Sequence, residues 1–432
     1  MKYLKLFLLL LFCSSSLVVS ADFYFCSLDA GEIPWDRTYW DNHGRREGWL
    51  YKPKNNPRKQ KALNVVNRRV INIPSVVDVY VQWNVIGNVN SAGKWTVVGI
   101  GYQTFADCIY AEEINLPPTV KQIGDQAFLN CKKMTSIKLP DALEKISPNA
   151  FEGCSSLKEI IIGKNGQKNN AGYYTIGGIL CRNDEMICFP EGLLDSSNGY
   201  ELTVPSQMTN IAENSFANNQ KITKVTITKG TIGNGAFKNC PNLREVVLGE
   251  GVTTIGESAF EGCLALEKVN IPSSMKRLSK RTFYGCLSLS SVSVTEGLEE
   301  IETSAFENCA TLQSINIPKS LTKLGTNAFK GCSELRTVAF PAAGKVKKIE
   351  EGTFSFCENI RELKFPTGLK SVETNAFLGC TSLSRVTVNA DMEYIYRYAF
   401  MGCSNLTTIN IPKSTTIYKE TFIDCPKLNL KR

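Results

Sequence analysis

Apolar residues recur along most of this chain with a period close to 23 residues. Each period holds a small residue, Phe, two variable positions and Cys, as in Ala305-Phe306 followed by Cys309. The motif occurs at thirteen phenylalanines, and Cys follows three positions later at all of them except Phe216: Phe105, Phe128, Phe151, Phe216, Phe237, Phe260, Phe283, Phe306, Phe329, Phe354, Phe377, Phe400 and Phe422. A fixed period in this range predicts a solenoid, in which no unit has a core of its own and neighbouring units must stack.

Between two such motifs lies a short stretch in which apolar and polar residues alternate. In one unit the order is Leu312, Ile315, Ile317 and Pro318, followed later by Leu324. Alternating β-branched residues predict a strand with its apolar side chains inward, and the proline, which cannot donate to a ladder, ends that strand. The later apolar residue predicts a turn. Phe and Cys, three positions apart, then predict one turn of a short helix. This helix lies where the chain runs back from the turn to the next strand, which we call the return side.

One interval departs from the period. Phe151 and Phe216 are 65 residues apart, and no motif lies between them. The glycine-, asparagine- and lysine-rich start of the interval predicts a loop, and residues 176–181 and 186–189 predict the two arms of a β-hairpin. We interpret residues about 163–200 as a hairpin insertion in the solenoid and not as a domain boundary.

The N-terminus has the features of a secretory signal peptide. Lys2 and Lys5 give it a positive start, residues 6–12 are apolar, and small residues end at Ala21. We therefore predict a signal peptide over residues 1–21, cleavage after Ala21 and a secreted or cell-surface location. No other segment approaches the length of a membrane span, so the mature chain is expected to have no transmembrane segment.

Residues 22–92 differ in composition from the solenoid, which is predicted over residues 93–432. All five tryptophans of the chain lie at or before residue 95. Because the first repeat of a solenoid exposes one end of its core, aromatic bulk at this place predicts an N-terminal cap. Within this region Val70-Ile71-Asn72 already has the pattern of a repeat strand.

The positive charge of the chain is concentrated in one segment. The formal net charge is +8, and residues 45–69 alone hold nine basic residues against a single Glu47. The repeats that follow are close to neutral. Nucleic-acid binding would require a basic stripe along the repeats, so the sequence argues against a nucleic-acid partner.

The motif and the strand after it together resemble the BspA-like leucine-rich repeat, whose signature is A-F-x-x-C-x-x-L-x-x-I-x-I-P. The resemblance extends over roughly residues 95–432. It implies a leucine-rich-repeat solenoid, an α/β-type repeat fold with parallel strands on the concave face and short helical or irregular segments on the convex face. It also implies adhesion to a matrix or cell-surface protein. Together with the predicted signal peptide, we expect an exported, non-enzymatic recognition or adhesion protein.

The concave face is the default binding surface of such a scaffold. Eight polar residues at outward strand positions are the candidates for partner binding: Lys138, Lys224, Lys268, Asn270, Asn316, Lys364, Arg385 and Asn410. No aromatic residue lies in this row, although interface hot spots favour Tyr, Trp and Arg, so a merely solvated sheet face is the competing interpretation. The alternative function is glycan binding through the Trp-rich, basic N-terminal region. We expect a monomer in either case.

The motif cysteines do not predict a metal or redox centre. Zinc sites use cysteines two to four residues apart, commonly with histidine, whereas here the spacing is a whole repeat and His43 is the only histidine. Each Cys falls where an inward apolar residue is needed, so we predict buried free thiols. A single histidine also makes triad chemistry implausible. We predict no catalytic residue, no metal and no cofactor.

Cys181 and Cys188 are a separate case, because they lie on the two arms of the predicted hairpin. They face each other if the turn centres on Asp184 and Glu185, and a one-residue change of register separates them. A disulfide between them is therefore possible.

Overall fold

The computed structural model describes residues 69–73, 75, 97–163, 167–193 and 199–430 in full. It gives the backbone of further strand residues at 6–7, 24–27, 47–51, 76–81 and 91–96. The chain divides into two compact units, Met1–Asp195 and Ser196–Arg432. The predicted signal peptide, the tryptophan side chains and nearly all of the basic segment lie outside the fully described residues.

The regular secondary structure described in the first unit consists almost entirely of short strands. They are β1 Leu6–Phe7, β2 Tyr24–Ser27, β3 Glu47–Tyr51, β4 Val70–Asn72, β5 Val76–Val81, β6 Ser91–Ile100, β7 Glu113–Asn115, β8 Gln122–Ile123, β9 Ser136–Lys138, β10 Lys145–Ile146, β11 Glu159–Ile161, β12 Tyr173–Ile176, β13 Ile179–Arg182 and β14 Glu185–Cys188. A single 3-10 turn at Glu191–Leu193 is the one helical element among the described residues. The repeat-strand pattern seen at Val70 to Asn72 is confirmed, because β4 pairs in parallel with β7.

The second unit continues the same pattern. Its strands are β15 Tyr200–Thr203, β16 Asn210–Ile211, β17 Ile222–Ile232, β18 Glu245–Ile255, β19 Lys268–Ile271, β20 Arg277–Leu278, β21 Ser291–Val294, β22 Glu300–Ile301, β23 Ser314–Asn316, β24 Lys323–Leu324, β25 Thr337–Ala339, β26 Lys348–Ile349, β27 Glu362–Lys364, β28 Ser371–Val372, β29 Arg385–Thr387, β30 Tyr394–Ile395, β31 Thr408–Asn410 and β32 Thr416–Ile417. The fold is a parallel-strand leucine-rich-repeat solenoid with almost no helix.

Each regular repeat contributes two strands and not one. The first has three or four residues, as β23 does, and the second has two, as β24 does. Equivalent strands of successive repeats pair in parallel, β23 with β25 and β22 with β24. The sequence predicted only turns at six apolar positions, and that prediction is wrong. Five of them lie in second strands, Ile123, Ile146, Leu278, Ile301 and Leu324, and the sixth, Ile255, ends the eleven-residue strand β18. A two-residue strand exists only through pairing with its neighbours, so local alternation does not reveal it.

The return side is built from consecutive tight turns. In one repeat the Cys309 N–H donates to the Phe306 carbonyl (3.2 Å), a closure over three residues. Ser304 and Asn308, two positions before and after this Phe, have φ angles of +57° and +63°, which no α-helix tolerates. The helical turn that the Phe-to-Cys spacing predicted is therefore wrong, and of the two forms that the resemblance allowed for this side the structure has the irregular one.

The phenylalanines form a continuous stack within each unit. In the second unit Phe306 is fully buried, and its ring centroid lies 5.4 Å from that of Phe283 and 5.2 Å from that of Phe329. In the first unit Phe105, Phe128 and Phe151 stack in the same way. The sequence prediction that the recurrent Phe forms the spine of the core is confirmed.

The motif cysteines are free, and their thiols bridge successive repeats. The Phe306 carbonyl accepts from the N–H of Cys309 in its own repeat and from the S–H of Cys332 in the next (3.2 Å). The same thiol bond, 3.1–3.3 Å long, recurs at Cys131, Cys154, Cys240, Cys263, Cys286, Cys309, Cys332, Cys357, Cys380, Cys403 and Cys425. The thiol thus gives a buried carbonyl a second donor, a role that the sequence interpretation of Cys as a small apolar residue missed.

We expect Cys425 to be alkylated at least tenfold faster than the other described cysteines when native protein meets iodoacetamide at pH 8. The thiolate is the reactive species. Burial raises the pKa of the Cys309 thiol well above its usual value, whereas a hydrogen bond from Cys403 lowers the pKa of the partly exposed Cys425. Peptide mass mapping checks this order, and denaturant should then release the remaining free thiols. Uniform labelling, or few free thiols after unfolding, would contradict it.

The interval predicted as a hairpin insertion contributes three antiparallel strands. Strand β12, which the sequence did not predict, pairs with β13, and β13 pairs with β14. Arg182 lies opposite Glu185, so the turn centres on Asn183 and Asp184. Through this register and a bulge, Cys181 lies opposite Met186 and Cys188 lies opposite Leu180. Both cysteines are buried free thiols with no disulfide between them, and burial raises the pKa of each to about 12.

Candidate functional site

The outward residues of the first strands form one polar surface in each unit, which we call the strand face. In β23 and β29 the middle residues Ile315 and Val386 are buried, and the residues on either side of each are exposed. The period of two residues along a strand produces this alternation. All eight sequence-predicted residues lie on this face: Lys138 in the first unit, and Lys224, Lys268, Asn270, Asn316, Lys364, Arg385 and Asn410 in the second.

Two of these lysines share one carboxylate. Lys224, Glu245 and Lys268 lie in register on β17, β18 and β19. The Glu245 carboxylate is 3.2 Å from Lys224 Nζ and 3.7 Å from Lys268 Nζ. Ion pairs at this exposure contribute little to stability. They do reduce the field that either lysine offers to a partner, so the trio presents a net charge of only one.

The Asn270 side chain serves the backbone of the neighbouring strand. Its Oδ1 accepts from the Leu248 N–H (3.3 Å), and its Nδ2 donates to the Leu248 carbonyl (2.8 Å). The backbone pairing of β18 with β19 ends at Val246 and Val269. Beyond that point the Asn270 carboxamide forms the hydrogen bonds to β18 that a strand backbone would otherwise form. Asn270 is therefore occupied in holding the sheet together.

Lys364, Arg385 and Asn410 form a different group, which we call the basic cluster. They lie on the adjacent strands β27, β29 and β31. Arg385 stands between Glu362 and Thr408 in register. None of the three side chains makes a hydrogen bond or an ion pair with another described residue, so all their donors face solvent. Asn316 on β23 is likewise exposed and without a side-chain bond to the described residues.

The repeats match the family model described as "BspA type Leucine rich repeat region (6 copies)" over residues 91–176, 209–336 and 334–430, well over half of the chain. The chain belongs to the BspA-type leucine-rich-repeat family. No curated protein sequence matches it.

Several solved structures resemble this leucine-rich-repeat protein. A leucine-rich repeat protein from Bacteroides ovatus is 25% identical with a TM-score of 0.57, covering 96% of this chain and 100% of its own. A leucine rich cell surface protein from Faecalibacterium prausnitzii is 22% identical (TM-score 0.46), covering 91% of this chain and 94% of its own. The pneumococcal vaccine antigen PcpA is 14% identical (TM-score 0.37), covering 94% and 98%.

An exposed tyrosine cluster lies off the strand face, at positions that the sequence did not predict to be partner-binding. The Tyr396 and Tyr418 rings stack at 4.8 Å, and Tyr394, 40% exposed, lies 6.0 Å from Tyr396. Tyr396 and Tyr418 directly follow a second strand, a position held in other repeats by small or charged residues such as Gly325 and Glu373. Aligning the repeats at this position would have revealed the cluster.

The described residues hold neither a metal site nor a helix that could span a membrane. No group of three or more His, Cys, Asp and Glu side chains there is arranged to hold a metal ion. Nor does any helix in that part of the chain have the length and apolar character needed to cross a membrane.

Proposed function

We propose that this leucine-rich-repeat protein is an exported, non-enzymatic recognition protein, and that the strand face of Ser196–Arg432 binds a matrix or cell-surface protein. The basic cluster carries the proposal. Lys364, Arg385 and Asn410 are held on paired strands over a buried core, so their backbone positions are fixed before binding. Preorganised groups lose little conformational entropy when they engage a partner.

The charge of the cluster defines the partner's chemistry. Lys364 and Arg385 face a single nearby acid, Glu362, on the same strands. A guanidinium group whose donors are all free is suited to bidentate binding of a carboxylate. The proposed partner surface is therefore acidic. The predicted signal peptide and the family's solenoid architecture support an extracellular setting for this contact.

The double variant Lys364→Glu, Arg385→Glu should weaken binding to a matrix or cell-surface protein about tenfold or more, because it places like charges against an acidic partner. The measurement is surface plasmon resonance of mature protein on immobilised fibronectin, laminin, collagen and cell-surface extracts. The matched control is Lys323→Glu, Lys348→Glu, which makes the same charge change on exposed second-strand positions of the same unit. Equal binding by both double variants would refute the strand-face proposal.

Glycan binding through the N-terminal region is the second candidate, and the concentration of all five tryptophans there favours it. A deletion that tests it should end at residue 68 rather than 92, because β4 pairs with β7 and belongs to the repeat sheet. Loss of sugar binding with retained binding to matrix proteins would assign the two activities to different regions. Retained sugar binding would dismiss the N-terminal candidate.

A further inference from the structure

A row of left-handed residues runs along the return side of the second unit, directly before the motif cysteines. We call it the ridge, and its central members are Asn239, Gly262, Gly285, Asn308 and Gly331, with φ angles between +54° and +74°. Only Gly, and to a lesser degree Asn and Asp, adopt this conformation readily. These five ridge positions therefore hold residues that either have no side chain or carry a short polar one.

A ridge asparagine spans two neighbouring repeats. Asn239 Nδ2 donates to Asn218 Oδ1 of the preceding repeat (3.1 Å), and a Cβ placed on Gly262 of the following repeat would collide with Asn239 Oδ1. In the first unit Asn130 repeats both contacts, with Asp107 Oδ1 (3.0 Å) and with Gly153. The side-chain nitrogen of a ridge asparagine thus points to the preceding repeat, and its oxygen points to the following repeat.

Two successive repeats have glycine at the ridge position, Gly262 and Gly285, so the row of ridge side chains has a gap there. A Cβ placed on Gly285 would have no atom within 4 Å. In the next repeat, Asn308 Oδ1 lies against Gly331 of the repeat that follows it. Its Nδ2 therefore points towards Gly285 of the preceding repeat. Glycine offers no side-chain acceptor, and Asn308 Nδ2 donates to no other described residue. An amide donor therefore faces an empty place in the ridge.

That empty place opens into a surface cavity of about 460 Å³. Leu264, Leu287 and Tyr284 line it beside the two glycines, and the leucines are 46% and 47% exposed. The charged side chains next to this cavity already pair with each other. Arg281 binds Glu261 through two hydrogen bonds (3.0 and 2.9 Å) and stacks on the Tyr284 ring at 3.8 Å.

These groups define the ligand. The donor requires an acceptor oxygen, which on neighbouring repeats comes from the carboxamide or carboxylate of a ridge residue. The two exposed leucines require an apolar group beside that oxygen, which disfavours a carboxylate because its charge would lose hydration against them. An acetamido group combines a carbonyl oxygen and a methyl group. The cavity is larger than acetamide alone, and Tyr284 also lines it. The acetamido group therefore belongs to a larger molecule.

We propose that this cavity binds the acetamido group of an N-acetylated sugar. The carbonyl oxygen accepts from Asn308 Nδ2 in the place that a ridge side chain takes elsewhere. The methyl group packs on Leu264 and Leu287, and the sugar ring lies towards Tyr284. This site is on the return side, so it does not depend on the strand-face proposal.

The test compares two disaccharides that differ in the acetamido groups. Titration of the mature protein, followed by NMR or calorimetry, should show millimolar or tighter binding of N,N′-diacetylchitobiose and at least tenfold weaker binding of cellobiose. Gly285→Asn should abolish the preference, because asparagine adopts this φ at Asn239 and Asn308 and its oxygen would occupy Asn308 Nδ2. Gly402→Asn, at an uncrowded ridge position with φ +74°, is the matched control and should leave binding unchanged.

Three outcomes would overturn the proposal. They are equal affinity for the two disaccharides, undiminished binding by folded Gly285→Asn, and equally tight binding of glutaminamide, which has a side-chain carboxamide but no acetyl group and would assign the cavity to a protein side chain. Thermal unfolding of both variants establishes that they are folded. Binding of matrix proteins through the strand face is unaffected by Gly285→Asn, so failure here is distinguishable from failure of the proposed function.

Discussion

Phe306→Ala should lower the free energy of unfolding by about 3–5 kcal/mol, the cost of a large cavity in a closely packed core. Phe306 is fully buried and stacks on Phe283 and Phe329, so truncation removes two ring contacts together with the hydrophobic transfer term. Because each repeat contacts mainly its neighbours, the loss cannot be repaired by distant repacking. Urea unfolding followed by circular dichroism measures the effect.

The matched control for this variant is Phe422→Ala. Phe422 is only partly buried and stacks on one described neighbour, Phe400, at 5.6 Å. Its truncation should cost about 1–2 kcal/mol, since less surface is buried and only one described ring stacks on it. If Phe306→Ala cost no more than Phe422→Ala, the Phe stack would not be the main source of cohesion between repeats.

The stack could be predicted from sequence because its signal is repeated many times in one chain. A fixed period places equivalent residues above one another, and the alternation around residues such as Ile315 separates the buried from the exposed positions. Both inferences depend only on period and polarity. The second strands depend instead on pairing between repeats, and two residues such as Lys323 and Leu324 are too few to show any local period.

The ridge shows a signal that was present and overlooked. Gly, Asn or Asp precedes the motif Cys in nearly every repeat, for example Gly262 and Asn308, and this restriction is the expected mark of a positive φ. Phe356 is the exception, since it has φ +59° and is 44% exposed. The thiol donors were not foreseeable, because an apolar site and a hydrogen-bonded site for Cys have the same sequence pattern.

The sequence predicted which residues lie on the strand face, but not which of their side chains are free to bind a partner. Asn270 and Asn316 occupy the same place in their strands, yet Asn270 is bound to Leu248 whereas Asn316 has no side-chain partner among the described residues. The difference arises in the neighbouring strand. Strand β18 runs on for eleven residues and diverges from β19, leaving the Leu248 backbone for Asn270 to satisfy. Strand lengths of neighbours cannot be derived from the residue itself.

Gly230→Ala should lower the free energy of unfolding by about 3 kcal/mol or more, through strain and a backbone collision combined. Gly230 has φ +99°, which L-residues rarely adopt, and its added Cβ would collide with the Thr209 carbonyl oxygen. That oxygen accepts from the Thr231 N–H (2.8 Å), in the bond that joins β16 to β17. Neither backbone can move away without breaking this pairing.

The control that separates the two causes is Gly285→Ala. Gly285 has φ +70° but nothing within 4 Å of an added Cβ, so its substitution should cost only the conformational strain, about 1 kcal/mol. Urea unfolding compares the two variants, and hydrogen exchange at Thr231 locates the damage. A loss at Gly230 several times that at Gly285 would be assigned mainly to the collision with Thr209, because Gly285 shows the scale of the loss that a positive φ causes without a collision. Equal losses would mean that the neighbouring backbone yields, and that the close approach of β16 and β17 at this point is not a rigid feature of the fold.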